Sequence, residues 1–244
     1  AQRPLGEKRI DKLGDIAGYN GDGSYIPEFQ QPGIPTVVSE YGSTTADRPG
    51  EYDPGWGDLA KNNAQNGFAW RSGQAIWCAF DHGSIAGSAL GKMGIIDYFR
   101  IPKRAWYWYR NAYKGIAPPK WPEAGTPARI ALTADQTNQI KTDGTDDVML
   151  SVTILDADGK PVNNSPAVSL NIISGPGEFP TGTSILFEKE SDIRILDGKA
   201  AIEFRSYYAG ETVIRATSPG LEPAEITLRF IGSTPYTEAC KVKD

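Results

Sequence analysis

Cysteine, histidine and methionine are nearly absent: two Cys, one His and two Met in 244 residues. Cys78 lies in an apolar run and Cys240 in a polar tail, so a disulfide scaffold is excluded and a bridge between the two is not expected. One histidine and two separated cysteines cannot build a zinc site of the His/Cys type, and the residues present require neither a metal nor another cofactor. An excess of positive charge is lacking too. Lys and Arg number 25 against 30 Asp and Glu, a net charge of −5 with a pI near 5.1. That balance offers no electrostatic footprint for nucleic acid and no basic patch for anionic lipid. No apolar run reaches the ~18 residues of a membrane span. The opening Ala1-Gln2-Arg3-Pro4-Leu5-Gly6 carries no signal-peptide core, so any targeting segment is expected to have been removed or to lie upstream.

What is present places the chain among globular proteins: 39% hydrophobic and 23% charged residues. All six Trp occur by Trp121, whereas the later sequence is rich in Thr, Ile, Val and Ser. Between these compositions lies Gly115 to Pro127, where Pro118, Pro119, Pro122 and Pro127 forbid helix and central strand alike. The expected organisation is a first domain over 1–117, a stiff linker over 118–127, a second domain over 128–232 and a tail over 233–244.

The second domain reads as antiparallel strands. Val148 to Leu155 alternates, with Val148, Leu150, Val152 and Ile154 on one face, and the turn Asp156-Ala157-Asp158-Gly159 follows. Further strands are predicted at Arg129–Thr133, Val168–Ile173, Ile193–Leu196, Lys199–Phe204, Thr212–Thr217 and Glu225–Ile231, with Asp197-Gly198 as a tight hairpin. Short strands at this spacing predict an immunoglobulin-like β-sandwich. Its acidic turns (Asp143, Asp146, Asp147; Asp156, Asp158) lack the spacing of a helix–loop–helix calcium loop and read as solvated turn residues.

The first domain alternates strand and helix. Strands are predicted at Ile16–Asn20, Thr36–Ser39 and Gly73–Phe80, the last one buried, with helices over Asp58–Phe68 and Pro102–Lys114. The second helix puts Trp106, Tyr109 and Tyr113 on one face and stops at Gly115. This is parallel α/β order, with too few strands for a closed barrel, so the chain is expected to be the C-terminal piece of something longer.

In parallel α/β proteins, functional groups sit at the carboxyl ends of strands. Glu40 closes the run Thr36-Val37-Val38-Ser39, and strict alternation puts it on the same side as Val38. A carboxylate there, beside Tyr41, suits a glycosidic nucleophile or general base; a solvated loop acid fits the spacing as well. On the next strand the same parity selects Ala75, Trp77, Ala79 and Asp81. Trp77 would give a flat apolar floor for a sugar face, although a packed core Trp fits equally. Asp81 and His82 complete the candidate substrate-binding set, His82 being a lone loop histidine of the kind that is usually a surface residue. Tyr19 ends the first strand, where its hydroxyl would reach a carboxylate across the mouth.

Ser39-Glu40-Tyr41-Gly42, then Gly73-Gln74-Ala75-Ile76-Trp77-Cys78-Ala79-Phe80-Asp81-His82, Gly94-Ile95-Ile96-Asp97 and Arg100-Ile101-Pro102-Lys103, in that order, resemble the end of the catalytic barrel in glycoside hydrolase family 2. This is the family of β-galactosidases, β-glucuronidases and β-mannosidases. The resemblance covers 15 to about 114, and 126–232 resembles the immunoglobulin-like domains that follow the barrel in many bacterial members. It implies the C-terminal portion of a (β/α)8 TIM barrel, with Glu40 as retaining nucleophile, Tyr19 orienting it and Trp77 lining the sugar subsite. The family's acid/base Glu sits in an Asn-Glu pair, and no Asn-Glu dipeptide occurs here. The resemblance therefore implies a partner, the upstream part of the same enzyme, and no normal turnover by these residues alone. Gly91-Lys92-Met93-Gly94 lacks the Asn-x-Lys segment of glucuronidases, which points to a neutral sugar, β-galactoside first. A periplasmic or secreted bacterial location follows from the same likeness. The alternative from another class is a non-catalytic carbohydrate-binding or adhesion module; the lack of Trp after Trp121 weighs against the sandwich as a sugar platform.

Overall fold

The computed structural model describes residues 14–20, 34–42, 45–52, 72–86, 89–191 and 193–237. The chain divides into two compact units, Ala1–Pro119 and Lys120–Asp244. Strands dominate, and one α-helix occurs among the described residues.

In the first unit, β1 (Ala17–Asn20), β2 (Thr36–Tyr41) and β3 (Gly73–Ile76) form a sheet in the order β1-β2-β3. Both pairings are parallel. The β-branched run at 36–38 suits a pleated central strand, and Ala17, Thr36 and Val38 are fully buried. The hairpin β4 (His82–Ala86) and β5 (Ala89–Gly91) follows. The helix expected over Asp58–Phe68 lies outside the described residues.

Two expectations change. The strand predicted over Gly73–Phe80 ends at Ile76, the Trp77–Cys78 peptide is cis, and Ala75, Trp77, Ala79 and Phe80 are exposed rather than buried. Beyond Ile76 the chain leaves the sheet and pairs with 93–96 instead, through Cys78 N–H to Met93 O, Ile95 N–H to Cys78 O and Ile96 N–H to Ala79 O. The helix α1 spans Arg104–Lys114, not Pro102–Lys114, because Pro102 is held in a bridge to Ile96. Gly115 stops it with φ 65°, its N–H donating to Asn111 O. Tyr109 is buried and stacks on Tyr113, which is exposed, so the apolar face is narrower than the aromatic spacing implies.

In the second unit, β6 (Arg129–Ala134), β7 (Ile140–Lys141), β8 (Val148–Leu155), β9 (Val168–Ser174), β10 (Ser184–Phe187), β11 (Lys199–Phe204), β12 (Gly210–Thr217) and β13 (Ala224–Ile231) build two sheets. Their orders are β10-β9-β12-β13-β7 and β11-β8-β6, the arrangement of an immunoglobulin-like sandwich. Pairings are antiparallel except β13 with β7. Strand β8 alternates as its sequence predicts, with Val148, Leu150, Val152 and Ile154 buried. They meet a core of Leu170, Ile214, Leu228 and Phe230, and the Phe204 ring lies edge-on to Phe179. On the outer face, Arg215 pairs with Glu225 and Arg229 with Glu211, each pair directly opposite in the β12–β13 register.

The predicted strand Ile193–Leu196 does not form. Leu196 and Lys199 instead exchange both backbone hydrogen bonds around Asp197-Gly198, whose φ values of 54° and 69° make the expected tight turn. Strands β7 and β10 were not anticipated.

Candidate functional site

Three adjacent parallel strands end side by side in the first unit. Tyr19 pairs with Val38, Asn20 with Glu40, and Tyr41 with Ile76. The register slips in both pairings after Val38, so β2 carries one extra residue just before its end. That bulge breaks the strict alternation from which the direction of Glu40 was expected. Glu40 is half-buried at the carboxyl end of β2, and Ser39 lies over Gly18 of β1. The Tyr19 side chain lies outside the described residues.

Glu40 and the segment after β3 are electrostatic neighbours. Burial pushes the Cys78 thiol up, the negative charges of Asp81 and Glu40 add to that, and Lys103 opposes it. Cys78 is a free cysteine whose Sγ contacts Phe80 O at 3.0 Å. Trp77, one residue earlier, is 39% exposed, which separates it from a core Trp and leaves part of its surface open to a ligand. The His82 ring lies edge-on to Trp77 at 5.6 Å between centroids. It rests on Gly91, where a Cβ would sit 2.1 Å from its Cε1. Both ring nitrogens of His82 are buried without a hydrogen-bond partner.

Asp81 is differently placed. It is buried, and its Oδ1 accepts from Lys103 Nζ at 2.6 Å and from Gly94 N–H at 2.9 Å. Burial raises its carboxyl above the ordinary value, against the hydrogen bond and charge of Lys103. It braces the connection from β3 to β4, which carries Trp77 and leads into His82. Gly94 admits this close approach, since a Cβ there would lie 2.1 Å from Asp81 N and 2.2 Å from Phe80 C.

A second buried ion pair lies nearby: Arg48 Nε donates to Asp97 Oδ2 at 2.9 Å. Asp97 Oδ1 also accepts from the N–H groups of Phe99 and Ile101, holding the turn in which Arg100 has φ 67°. Arg48, Asp97 and Lys103 carry structure that the reading of the sequence did not assign. One signal existed for Lys103: a cation at a helix N-cap opposes the helix dipole, so its charge must serve another partner. Among the described residues no cluster of three or more His, Cys, Asp or Glu is placed to hold a metal ion. No helix among them is long and apolar enough to cross a membrane.

In the second unit, the acidic turns are internally hydrogen-bonded. Asp143 Oδ1 accepts from Thr145 N–H and Oγ1, and Asp156 Oδ1 from Asp158 and Lys160 N–H.

Residues 130–227 match the family model of glycoside hydrolase family 2 C-terminal domain 5. Three solved structures share the fold over most of the chain. A β-glycosidase from Bacteroides vulgatus is 16% identical with a TM-score of 0.65, covering 88% of this chain and 45% of its own. A β-glucuronidase from glycoside hydrolase family 2 is 18% identical with a TM-score of 0.65, covering 93% and 35%. A family 2 member from Bacteroides cellulosilyticus DSM 14838 is 14% identical with a TM-score of 0.62, covering 88% and 40%. The chain thus spans less than half the length of each of these proteins. No curated protein matches the sequence.

Proposed function

We propose, from the match of residues 130–227 to glycoside hydrolase family 2 C-terminal domain 5, that the chain carries the nucleophile and the sugar floor of a retaining β-glycosidase. In this reading the first unit is the last part of a (β/α)8 barrel and the second is the sandwich that follows it. Glu40 attacks the anomeric carbon while a second carboxyl group, roughly 5–5.5 Å away, protonates the leaving oxygen. That group comes from another part of the enzyme, because no Asn-Glu pair is present here. Water then releases the glycosyl-enzyme with the same group acting as base. Tyr19 orients Glu40, Trp77 takes the apolar face of the sugar, and His82 supports Trp77 from the side. Asp81 serves through its loop. The substrate is a neutral β-glycoside, β-galactoside first, since Gly91-Lys92-Met93-Gly94 has no Asn-x-Lys grip for a uronic carboxylate. A periplasmic or secreted bacterial enzyme fits this substrate class.

The observation that supports the reading is the side-by-side ending of β1, β2 and β3, in which Tyr41, next to Glu40, pairs with Ile76, next to Trp77. The test is Glu40→Gln in an enzyme carrying these residues together with the acid/base segment. Hydrolysis of an aryl β-galactoside is expected to fall by about a thousandfold or more, with an unchanged circular dichroism spectrum. Turnover at the unsubstituted rate refutes the assignment.

A further inference from the structure

Lys103 sits where three segments of the first unit converge. Its Nζ donates to Asp81 Oδ1 at 2.6 Å, in the segment that follows Trp77. It also donates to Ala46 O at 2.7 Å, six residues beyond Glu40, and to Lys92 O at 3.1 Å. The last two segments are joined to each other by Ala46 N–H to Lys92 O and by the Lys92–Asp47 ion pair. The Lys103 and Asp81 side chains are only 3% and 5% exposed, so water does not compete for these bonds. The backbone N–H of Lys103 donates to Ile95 O, and the next residue's N–H to Pro49 O, which fixes the start of α1 to the same loops.

We infer that Lys103 is the positioning residue that holds the Trp77–His82 segment against the segment following Glu40, and so sets the width of the sugar cleft. The inference rests on the glycosidase reading for its consequence but not for its geometry. Lys103 touches no reacting atom; it acts through Asp81 and the Ala46 and Lys92 carbonyls. Removing its amine strands a buried carboxylate, and the cheapest relief is to open the loop and hydrate Asp81.

Cys78 lies in that loop and reports its opening. In a Cys240→Ser background, the rate of Cys78 labelling by an aromatic disulfide is compared with that of the same protein in urea. Lys103→Met is expected to speed labelling about a hundredfold. Charge alone predicts the opposite sign, because Lys103 lowers the Cys78 pKa and its loss makes the thiolate scarcer. Lys103→Met combined with Asp81→Asn removes the stranded charge and is expected to recover most of the protection. Lys103→Gln keeps a neutral donor and gives an intermediate rate, so the series remains readable if Lys103→Met does not fold. In the enzyme carrying the complete barrel, Lys103→Gln is expected to raise KM for an aryl β-galactoside more than it lowers kcat. A merely stabilising role would lower the active fraction and leave KM alone. Labelling no faster in Lys103→Met, or equally fast in the double variant, overturns the inference. If the unsubstituted enzyme hydrolyses no glycoside, the functional reading fails while the labelling series still decides the role of Lys103.

Discussion

Substituting Asp97 by Ala removes the acceptor for one side chain and two backbone groups at once. Arg48 Nε, Phe99 N–H and Ile101 N–H all donate to this carboxylate, at 2.9, 2.9 and 2.8 Å. The side chains of Arg48 and Asp97 are 3% and 10% exposed, so the guanidinium cannot simply turn to water. Breaking a buried pair by deleting one partner costs ~3–5 kcal/mol. Arg48 keeps other interactions, which argues for the lower end, and the two released N–H groups add back about 0.5–1 kcal/mol each. At a urea slope of ~2 kcal/mol per molar, a loss of ~4 kcal/mol lowers the midpoint by ~2 M. Tryptophan fluorescence is the assay: Trp56, Trp70, Trp77, Trp106 and Trp108 precede Pro119 and only Trp121 follows it, so the signal is dominated by the first unit. Arg48→Met combined with Asp97→Ala is expected to be less destabilised than the sum of the two single variants. A midpoint shift below ~0.5 M for Asp97→Ala would show that the pair adds little and refute the reasoning.

Leu150→Ala, at a fully buried position of β8, is expected to cost ~2–5 kcal/mol in the second unit's transition; followed by circular dichroism, an unchanged midpoint contradicts the assigned core. Hydrogen bonds from Thr145 hold the Asp143 carboxyl below its ordinary value. Since the folded pKa is the lower one, the associated stability is present above the unfolded value of 3.8 and is lost as pH falls through the folded one. Thr145→Val removes the hydroxyl donor and keeps the backbone one; it is therefore expected to move the Asp143 titration upward by NMR, and an unmoved titration excludes the hydroxyl bond as a cause.

How much the sequence disclosed differs between the units. In β8, alternation alone gives the strand, its limits and its buried face, because one face meets the core and the other does not. Ile140–Lys141 is too short to show any period, and Ser184–Phe187 has only two buried residues. Ile195 misled in the other direction: its buried side chain looks like part of a strand, yet the backbone around it makes only the turn at Asp197-Gly198. In the first unit, the strand that ends near Glu40 was legible from its β-branched run Thr36-Val37-Val38, whereas the strand parity used for Trp77 fails because β3 stops at Ile76. The bulge after Val38 was not legible, since it depends on two neighbouring strands. Nor were the partners of Arg48 and Lys103, which lie 49 and 22 residues away along the chain.

The larger sheet of the sandwich finishes in stubs: two residues of β7 on one rim and four of β10 on the other. A foreign strand laid along either rim would find few open amides and carbonyls to template on. Two copies of this module meeting along this sheet would therefore slide past one another, and strand-to-strand joining is left to the six-residue rims β6 and β11 of the smaller sheet.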